Sequence, residues 1–195
     1  DPARLVVPRQ VHGDVVRSVR LADAGSTGVP ADGLATAEPG VPLLVQGADC
    51  PLLLLVDPTA PALSVVHSGW RGTVAGIARR SVEALVALGA SVDRIVAGVF
   101  PGIGACCFEV GLAVVAAFAT AFGPRAAAWS VPTHSDRSRL DLAAALAATL
   151  ADAGIAAART EIVPGCTACG GTLWSHRASG GRPERHGLFA LLESR

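Results

Sequence analysis

The chain has 195 residues and a mass of 19.6 kDa, which is the size of one globular domain. Its sixteen basic residues, all arginines, balance sixteen acidic ones, so it lacks the excess positive charge typical of proteins that bind nucleic acids or anionic membrane surfaces. These figures favour small molecules as partners.

Apolar and β-branched segments of strand length recur along the chain, separated by glycine, proline and aspartate. They predict strands at residues 5–7, 15–21, 41–46, 52–56, 63–67, 94–100, 160–163 and 187–192. Helical spacing of apolar residues predicts helices at 73–88, 110–122 and 140–152, with Gly123 and Gly154 as C-caps of the last two. The polar stretches 135–139 and 178–185 are predicted to be mobile loops.

The order of these elements indicates the fold class. Two or three strands follow one another before the first helix, which argues against a doubly wound sheet or a barrel. We therefore predict an α/β (α+β) fold with mixed β-sheets flanked by helices in layers. Since no linker or repeat divides the sequence, residues 1–195 are expected to form a single domain.

Hydropathy and cysteine content indicate where the protein works. The longest apolar runs, such as residues 51–56, are far shorter than the roughly 18 residues that a membrane span needs, and no leader pattern opens the chain. The odd number of cysteines, five, suits thiols or metal ligands in a reducing compartment better than a disulfide framework. We predict a cytoplasmic protein without a membrane partner.

Three potential zinc ligands lie where predicted strands meet loops: His12 in QVHG, Cys50 in ADCP and His67 in HSGWRG. Two imidazoles and one thiolate form a ligand set that catalytic zinc uses, with the fourth position left to water or substrate. The alternative is two hydrogen-bonded histidines and a small buried cysteine. Spacing alone leaves both open, because the three residues are far apart in sequence and form no short metal-binding cassette.

The ordered motifs QVHG, GADCP, HSGWRG and PGIGACCFEVG, followed by CT, SHR and GR, resemble the YfiH-like family. Its members are also named multicopper polyphenol oxidases, laccase-domain proteins and peptidoglycan editing factors. The resemblance runs from about Gln10 to the C-terminus and implies a fold similar to that of cysteine hydrolases, with zinc held by His12, Cys50 and His67. Members usually have some tens of residues before QVHG, including an arginine thought to contact substrate, so we expect this chain to lack the family's N-terminal segment.

The resemblance implies purine nucleoside chemistry, with a nucleoside and phosphate as partners. The reactions are phosphorolysis of adenosine, methylthioadenosine, inosine or guanosine, and hydrolytic deamination of adenosine. Zinc lowers the pKa of a water toward about 7 for attack on purine C6, whereas phosphate attacks ribose C1′. Copper is the less favoured ion. A multicopper laccase needs about ten histidine ligands, and since this chain has five histidines, we exclude oxygen-reducing laccase chemistry for the monomer.

Further residues are assigned roles around this centre. Asp49 is the candidate general acid/base or orienting carboxylate, which makes Asp49, Cys50 and His67 the predicted catalytic set; the alternative is that Asp49 caps a turn. Guanidinium groups suit phosphate, so we predict that substrate is bound by Arg71, Arg177 and Arg182. A structural salt bridge, for instance to Glu109, competes with this role for Arg71.

Two other functions remain open at this stage. Cys50 and His67 could act as nucleophile and base of a cysteine-type hydrolase that edits peptidoglycan precursors, or the protein could bind metal without turnover. Either a monomer or a homodimer is compatible with the sequence.

The remaining cysteines and histidines carry weaker predictions. Cys166 and Cys169 form a CxxC, which suggests a redox pair or half of a structural zinc site with Cys106 and Cys107, whereas the resemblance places CT at the edge of the pocket. The other histidines, His134, His176 and His186, are interpreted as surface, hydrogen-bonded or solvated residues.

Overall fold

In the computed structural model, which describes residues 1–193, helices pack on one face of a six-stranded mixed sheet and shorter strands pack on the other. The strands are β1 (Val7–Arg9), β2 (Val16–Ser18), β3 (Thr27–Pro30), β4 (Gly33–Thr36), β5 (Leu43–Gly47), β6 (Leu52–Asp57), β7 (Ala62–His67), β8 (Val96–Val99), β9 (Glu109–Gly111), β10 (Ser130–His134), β11 (Arg137–Leu140), β12 (Thr160–Ile162) and β13 (His186–Ala190). The helices are α1 (Trp70–Ala75), α2 (Ile77–Ala87), α3 (Leu112–Phe122) and α4 (Leu142–Asp152).

The six-stranded sheet has the order β12-β8-β6-β7-β4-β2. Its four inner strands run antiparallel to one another, whereas β12 and β2 lie parallel to their neighbours. Strand β7 is buried at every position because α2 covers one of its faces and β5 the other. The predicted α/β fold with mixed sheets flanked by helices is confirmed.

Alternation along β6 divides the core into two layers. Leu53 and Leu55 point to the layer under the helices, whereas Leu52 points to the layer under β5 and β13. This period of two is what a strand covered on both faces requires. Full burial of each leucine contributes about 2 kcal/mol, so β6 and its neighbours form a rigid base for the loops at the ends of the sheet.

Several predicted elements differ from the observed ones. The helix predicted at 73–88 is two helices, because Gly76 adopts a left-handed conformation with φ of 89° that interrupts α1 and α2. Residues 135–139 were predicted to be a mobile loop, but most of them belong to β11, which pairs with β9 and β10. Strands β3, β4, β9 and β10 were also missed, since short strands rich in glycine or polar residues show little apolar alternation.

One helical stretch in the described residues, Leu112–Trp129, is long and apolar enough by length and composition to cross a membrane. It joins α3 to a 3-10 helix at Gly123–Trp129 that contains Pro124 and Arg125. The apolar runs in the sequence did not reveal it, because the stretch contains an arginine. Phe118, Phe122 and Trp129 pack their rings together along it. The absence of a membrane partner stays a prediction.

A buried ion pair connects the end of β6 to the segment before β8. The Asp57 carboxylate is fully buried and accepts hydrogen bonds from Arg94, at 2.8 and 3.2 Å, and from the backbone N–H groups of Thr59, Ala60 and Ser91. Burial raises the pKa of Asp57, but these hydrogen bonds outweigh it and hold the pKa well below its usual range. The carboxylate is therefore ionised in the folded protein.

We expect Asp57→Asn to lower the free energy of unfolding by about 3 kcal/mol at pH 7, because it removes the charge that compensates partly buried Arg94. Since the pKa of Asp57 is depressed by folding, this stabilisation is present above about pH 4 and is lost as the pH falls. Urea denaturation of both proteins at pH 7 and pH 3 checks this. Asp93→Asn, at an exposed position nearby, serves as the control. A difference in stability that does not change with pH would contradict the assignment.

Candidate metal centre

The pairing of β4, β6 and β7 brings three polar side chains to one end of the sheet. His67 is the last residue of β7 and pairs with Leu52, and Val66 pairs with Gly33 at the start of β4. Asp32 and Cys50 lie just before these strands. Because the strands are antiparallel, the end of β7 lies beside the starts of β4 and β6, and Asp32, Cys50 and His67 meet there.

His12 reaches the same place from the segment between β1 and β2. The backbone N–H groups of Val11, His12 and Gly13 donate to the Asp32 carboxylate at 3.1, 2.9 and 2.7 Å. These bonds hold His12 in a left-handed conformation with φ of 60°, which is uncommon for a residue with a side chain. Asp32 therefore positions the loop that carries His12.

The ligand atoms of His12, Cys50 and His67 all lie within 4.8 Å of one another. In a tetrahedral zinc site with bonds of about 2.0 to 2.3 Å, donor atoms are roughly 3.5 Å apart, so a small contraction brings these three onto one ion. The backbone is close-packed here, since a Cβ at Gly69 would lie 2.9 Å from Cys50 Sγ. The donor set and its spacing fit zinc with one position left for another ligand.

Asp32 also sets the orientation of His67. The His67 side chain is 4% exposed and the Asp32 side chain is 0% exposed, and His67 Nδ1 lies 2.9 Å from Asp32 Oδ1. Because an ionised carboxylate only accepts hydrogen bonds, Nδ1 carries the proton and Nε2 is left for a metal. Burial raises the pKa of Asp32, but the hydrogen bonds from His67 and the three backbone N–H groups outweigh it and lower the pKa.

Sequence reasoning missed Asp32. Its motif, ADG, is typical of a turn, and only the pairing of β4 with β7 brings it next to His67. No local signal identifies it, because β4, the strand that it precedes, is short and was not predicted from the sequence.

The charges of Cys50 and His67 depend on each other. Burial raises the pKa of Cys50, but hydrogen bonds and charge interactions with His12 and His67 lower it to about 7. Burial lowers the pKa of His67, but the hydrogen bonds to Asp32 and Cys50 raise it to about 9. The two groups thus favour each other's charged forms, the thiolate of Cys50 and the imidazolium of His67.

A cavity of about 510 Å³ opens beside these ligands, within the range typical of small-molecule sites. Its lining residues are Pro8, Gln10, His12, Gln46, Gly47, Ala48, Asp49, Cys50, His67, His176, Arg177 and Arg185. Of the predicted site residues, five lie here, whereas Arg71 and Arg182 are not among the lining residues. His176 and Arg185 were not predicted to belong to the site.

Asp49, next to Cys50, connects the loop before β6 to the C-terminal part of the chain. One carboxylate oxygen accepts a hydrogen bond from the Thr167 hydroxyl and the other from the Arg177 backbone N–H, both at 2.7 Å. Its backbone has a φ of 90°, and its carbonyl accepts from Ile103 N–H at 2.7 Å. With both oxygens engaged as acceptors, the geometry favours the orienting role over that of a proton carrier.

The three predicted phosphate-binding arginines have different surroundings. The Arg177 guanidinium donates to the Glu109 carbonyl at 2.8 Å and stacks on Phe108, which fixes it at the cavity. Arg71 stacks instead on Trp70, with its guanidinium carbon 4.4 Å from the ring centre. Within residues 1–193, Arg182 makes hydrogen bonds only through its backbone, including one from the Arg185 guanidinium to its carbonyl.

The interpretation of His186 as a solvated loop residue is wrong. It begins β13 and pairs with Gly47, and its Nδ1 is buried. Burial lowers the pKa of His186 because the charged form is desolvated. The loop prediction failed because β13 pairs with β5, some 140 residues earlier in the chain, so no local pattern marks its first residue.

Comparison with known proteins gives consistent results. Residues 1–193 match the model of a family described as multi-copper polyphenol oxidoreductase laccase. A purine nucleoside phosphorylase of Deinococcus radiodurans is 44% identical over 157 residues, which cover 80% of this chain and 57% of that protein. An adenosine deaminase from an unknown prokaryotic organism is 38% identical over 173 residues, 85% of this chain and 66% of that protein.

A solved structure agrees with the fold. The crystal structure of the Bacillus licheniformis hypothetical protein YfiH matches with a TM-score of 0.94 and 29% identity, over 99% of this chain and 76% of that one. The present chain spans between about half and two thirds of the length of the two curated relatives.

Proposed function

This chain belongs to the laccase-domain, YfiH-like family, as its motifs predicted, and we propose that it is a zinc-dependent enzyme acting on purine nucleosides. Relatives named for purine nucleoside phosphorolysis and adenosine deamination connect the family with this class of substrate.

The observation that carries the proposal is the convergence of His12, Cys50 and His67 beside a cavity that also contains Arg177 and Arg185. A zinc ion held by the three ligands supplies Lewis acidity, which activates an oxygen nucleophile or polarises the substrate. The two guanidinium groups supply planar donors for a phosphate dianion. Metal ligands and anion donors thus line one cavity of suitable size.

The surrounding residues have distinct roles. Asp32 holds the Nδ1 proton of His67 and so keeps Nε2 directed at the metal position. Asp49 is a positioning residue, because its carboxylate holds the backbone of Arg177 at the cavity. Arg177 is fixed by Glu109 and Phe108 and needs little reorganisation to receive phosphate.

Both proposed reactions break a bond from carbon to nitrogen. In phosphorolysis a phosphate oxygen attacks ribose C1′, the bond from C1′ to the base nitrogen breaks, and the base leaves with its electron pair and takes up a proton. In deamination a water oxygen attacks C6, and the amino group takes up a proton and leaves as ammonia, so that adenosine becomes inosine. Phosphate distinguishes the two reactions because only the first consumes it.

A second candidate function has a specific observation in its favour. Cys50, His67 and Asp32 form a chain of thiol, imidazole and carboxylate, with the pKa of Cys50 lowered to about 7, which suits a nucleophilic thiolate and its base. This arrangement suits a cysteine-type hydrolase, for which the resemblance to the YfiH-like family suggests peptidoglycan precursors as substrates. Zinc would block such a nucleophile, so metal removal has opposite effects under the two proposals.

Incubation of the zinc-analysed protein with adenosine, with and without phosphate, tests the proposal. Chromatography should detect adenine and ribose 1-phosphate only when phosphate is present, and inosine whether it is present or not. Substrate without protein and protein treated with a chelator serve as controls. Zinc-loaded protein that yields none of these products from adenosine, inosine, guanosine or methylthioadenosine would overturn the proposal.

A further inference from the structure

Four of the five cysteines form a second cluster that the proposed reaction does not use. Cys106 and Cys107 follow β8, Cys166 and Cys169 follow β12, and their Sγ atoms all lie within 4.8 Å of one another. All four are free thiols, and the sulfurs of Cys106 and Cys169 lie 3.6 Å apart. None of the four lines the cavity beside His12 and Cys50.

We propose that Cys106, Cys107, Cys166 and Cys169 together bind one zinc ion. A tetrahedral zinc site with bonds of about 2.3 Å to sulfur has sulfurs about 3.8 Å apart, close to the 3.6 Å between Cys106 and Cys169. Four thiolates are the ligand set of closed, structural zinc sites, and soft sulfur ligands select zinc over magnesium or calcium. This inference is independent of the proposed enzymatic activity.

The backbone around the cluster is arranged to receive negatively charged sulfur. The Gly104 N–H donates to Cys166 Sγ at 3.2 Å. Such N–H donors offset part of the excess charge that four thiolates place around a divalent ion.

The neighbouring thiols resist ionising together. The Sγ atoms of all four cysteines lie within 4.8 Å of one another, so their negative charges would repel strongly. Four sulfurs so close to one another cannot all become thiolates unless a cation compensates their charges.

The turn of the CxxC segment depends on the glycine that follows it. Gly170 N–H donates to the Cys166 carbonyl at 2.8 Å, and a Cβ at Gly170 would lie 2.5 Å from that oxygen. Gly104 is similarly confined, because its Cβ would lie 3.3 Å from Cys106 Sγ. Glycine at both positions lets the backbone close around the sulfurs.

This zinc would connect the two segments that hold Asp49 at the other site. Thr167, inside the CxxC, donates its hydroxyl to the Asp49 carboxylate and its backbone N–H to the Gly102 carbonyl at 3.0 Å. Ile103, two residues after Pro101, donates its N–H to the Asp49 carbonyl. Zinc bound by the four cysteines would therefore stabilise the two segments whose hydrogen bonds hold Asp49 in place.

Counting zinc in variants tests the proposal. Native mass spectrometry of protein prepared with a reductant and purified in the presence of zinc should give two zinc ions per chain for the wild type. The double variant Cys106→Ser/Cys169→Ser should carry one zinc ion, bound by His12, Cys50 and His67. Cys50→Ser should also carry one, bound by the four cysteines. The two serine substitutions are at exposed positions, so the double variant should keep the wild-type circular dichroism spectrum.

Cobalt distinguishes the two centres in the same proteins. Substitution by Co²⁺ in Cys50→Ser should give the intense sulfur-to-metal absorption of a four-sulfur site, and the double variant should lose it. The proposal is overturned if the double variant keeps as much zinc as the wild type, or if the reduced wild type carries no metal that the double variant lacks. It is also overturned if Cys106 and Cys169 are joined in a disulfide in freshly prepared protein, seen as the loss of two hydrogens in the intact mass.

Discussion

Cys50→Ser should abolish zinc binding at the three-ligand centre and reduce nucleoside turnover to background. Cys50 supplies the only anionic ligand of the set, and a serine hydroxyl does not ionise at neutral pH, so we expect at least a hundredfold loss of zinc affinity. The fold should persist, because the apolar core of β6 and β7 lies beyond the loop that carries Cys50. Zinc per chain, turnover and the thermal transition are measured on one preparation.

The matched control for this variant is Arg9→Gln, an exposed substitution in β1 beside the His12 segment. It should leave zinc content and turnover unchanged. Retention by Cys50→Ser of both the wild-type zinc content and the wild-type turnover would show that the centre is assigned to the wrong residues.

Asp32→Asn should lower zinc affinity by about 10- to 100-fold, the usual effect of removing a carboxylate that orients a histidine ligand. It should also lower the pKa of His67 from about 9, because that carboxylate stabilises the imidazolium. Asparagine retains one acceptor oxygen for the N–H groups of residues 11–13 but places an amide NH₂ against the other donors. Zinc titration and NMR titration of His67 in the metal-free protein measure the two effects.

Asp14→Asn is the control for this variant. Asp14 lies near the same loop but is partly exposed and faces Arg80 at 3.7 Å, so its loss should change neither quantity. If Asp32→Asn leaves the pKa of His67 and the zinc affinity at their wild-type values, Asp32 does not orient His67.

The convergence of His12, Cys50 and His67 could be expected from the sequence only through the motifs that resemble the YfiH-like family, because their spacing alone left a metal-free reading open. The structure brings the three side chains together, and their binding of zinc stays a prediction. Asp32 could not be predicted, because its role depends on the pairing of β4 with β7, which brings residues 32 and 67 together from 35 positions apart. Long-range pairing leaves no local signal at a short polar motif. The same reason explains why His176 and Arg185 were not predicted to line the cavity.

The fold shows the same division between local and long-range information. Strands β6 and β7 were predicted nearly to the residue, since both are buried apolar runs between turns. Strand β11 was not, because its sequence RSRL contains a single apolar residue and forms a strand by pairing with β9 and β10. The prediction that CT, residues 166 and 167, lies at the pocket edge agrees with the hydrogen bond from Thr167 to Asp49. This bond is compatible with metal binding by Cys166 and Cys169.

Removal and return of zinc tests the central claim most directly. Turnover of adenosine is measured on the protein as purified, after chelation to remove all metal, and during titration with zinc. The account predicts that turnover disappears with the metal and returns in proportion to occupancy of the centre formed by His12, Cys50 and His67. Metal-free protein that converts adenosine at the undiminished rate would contradict it.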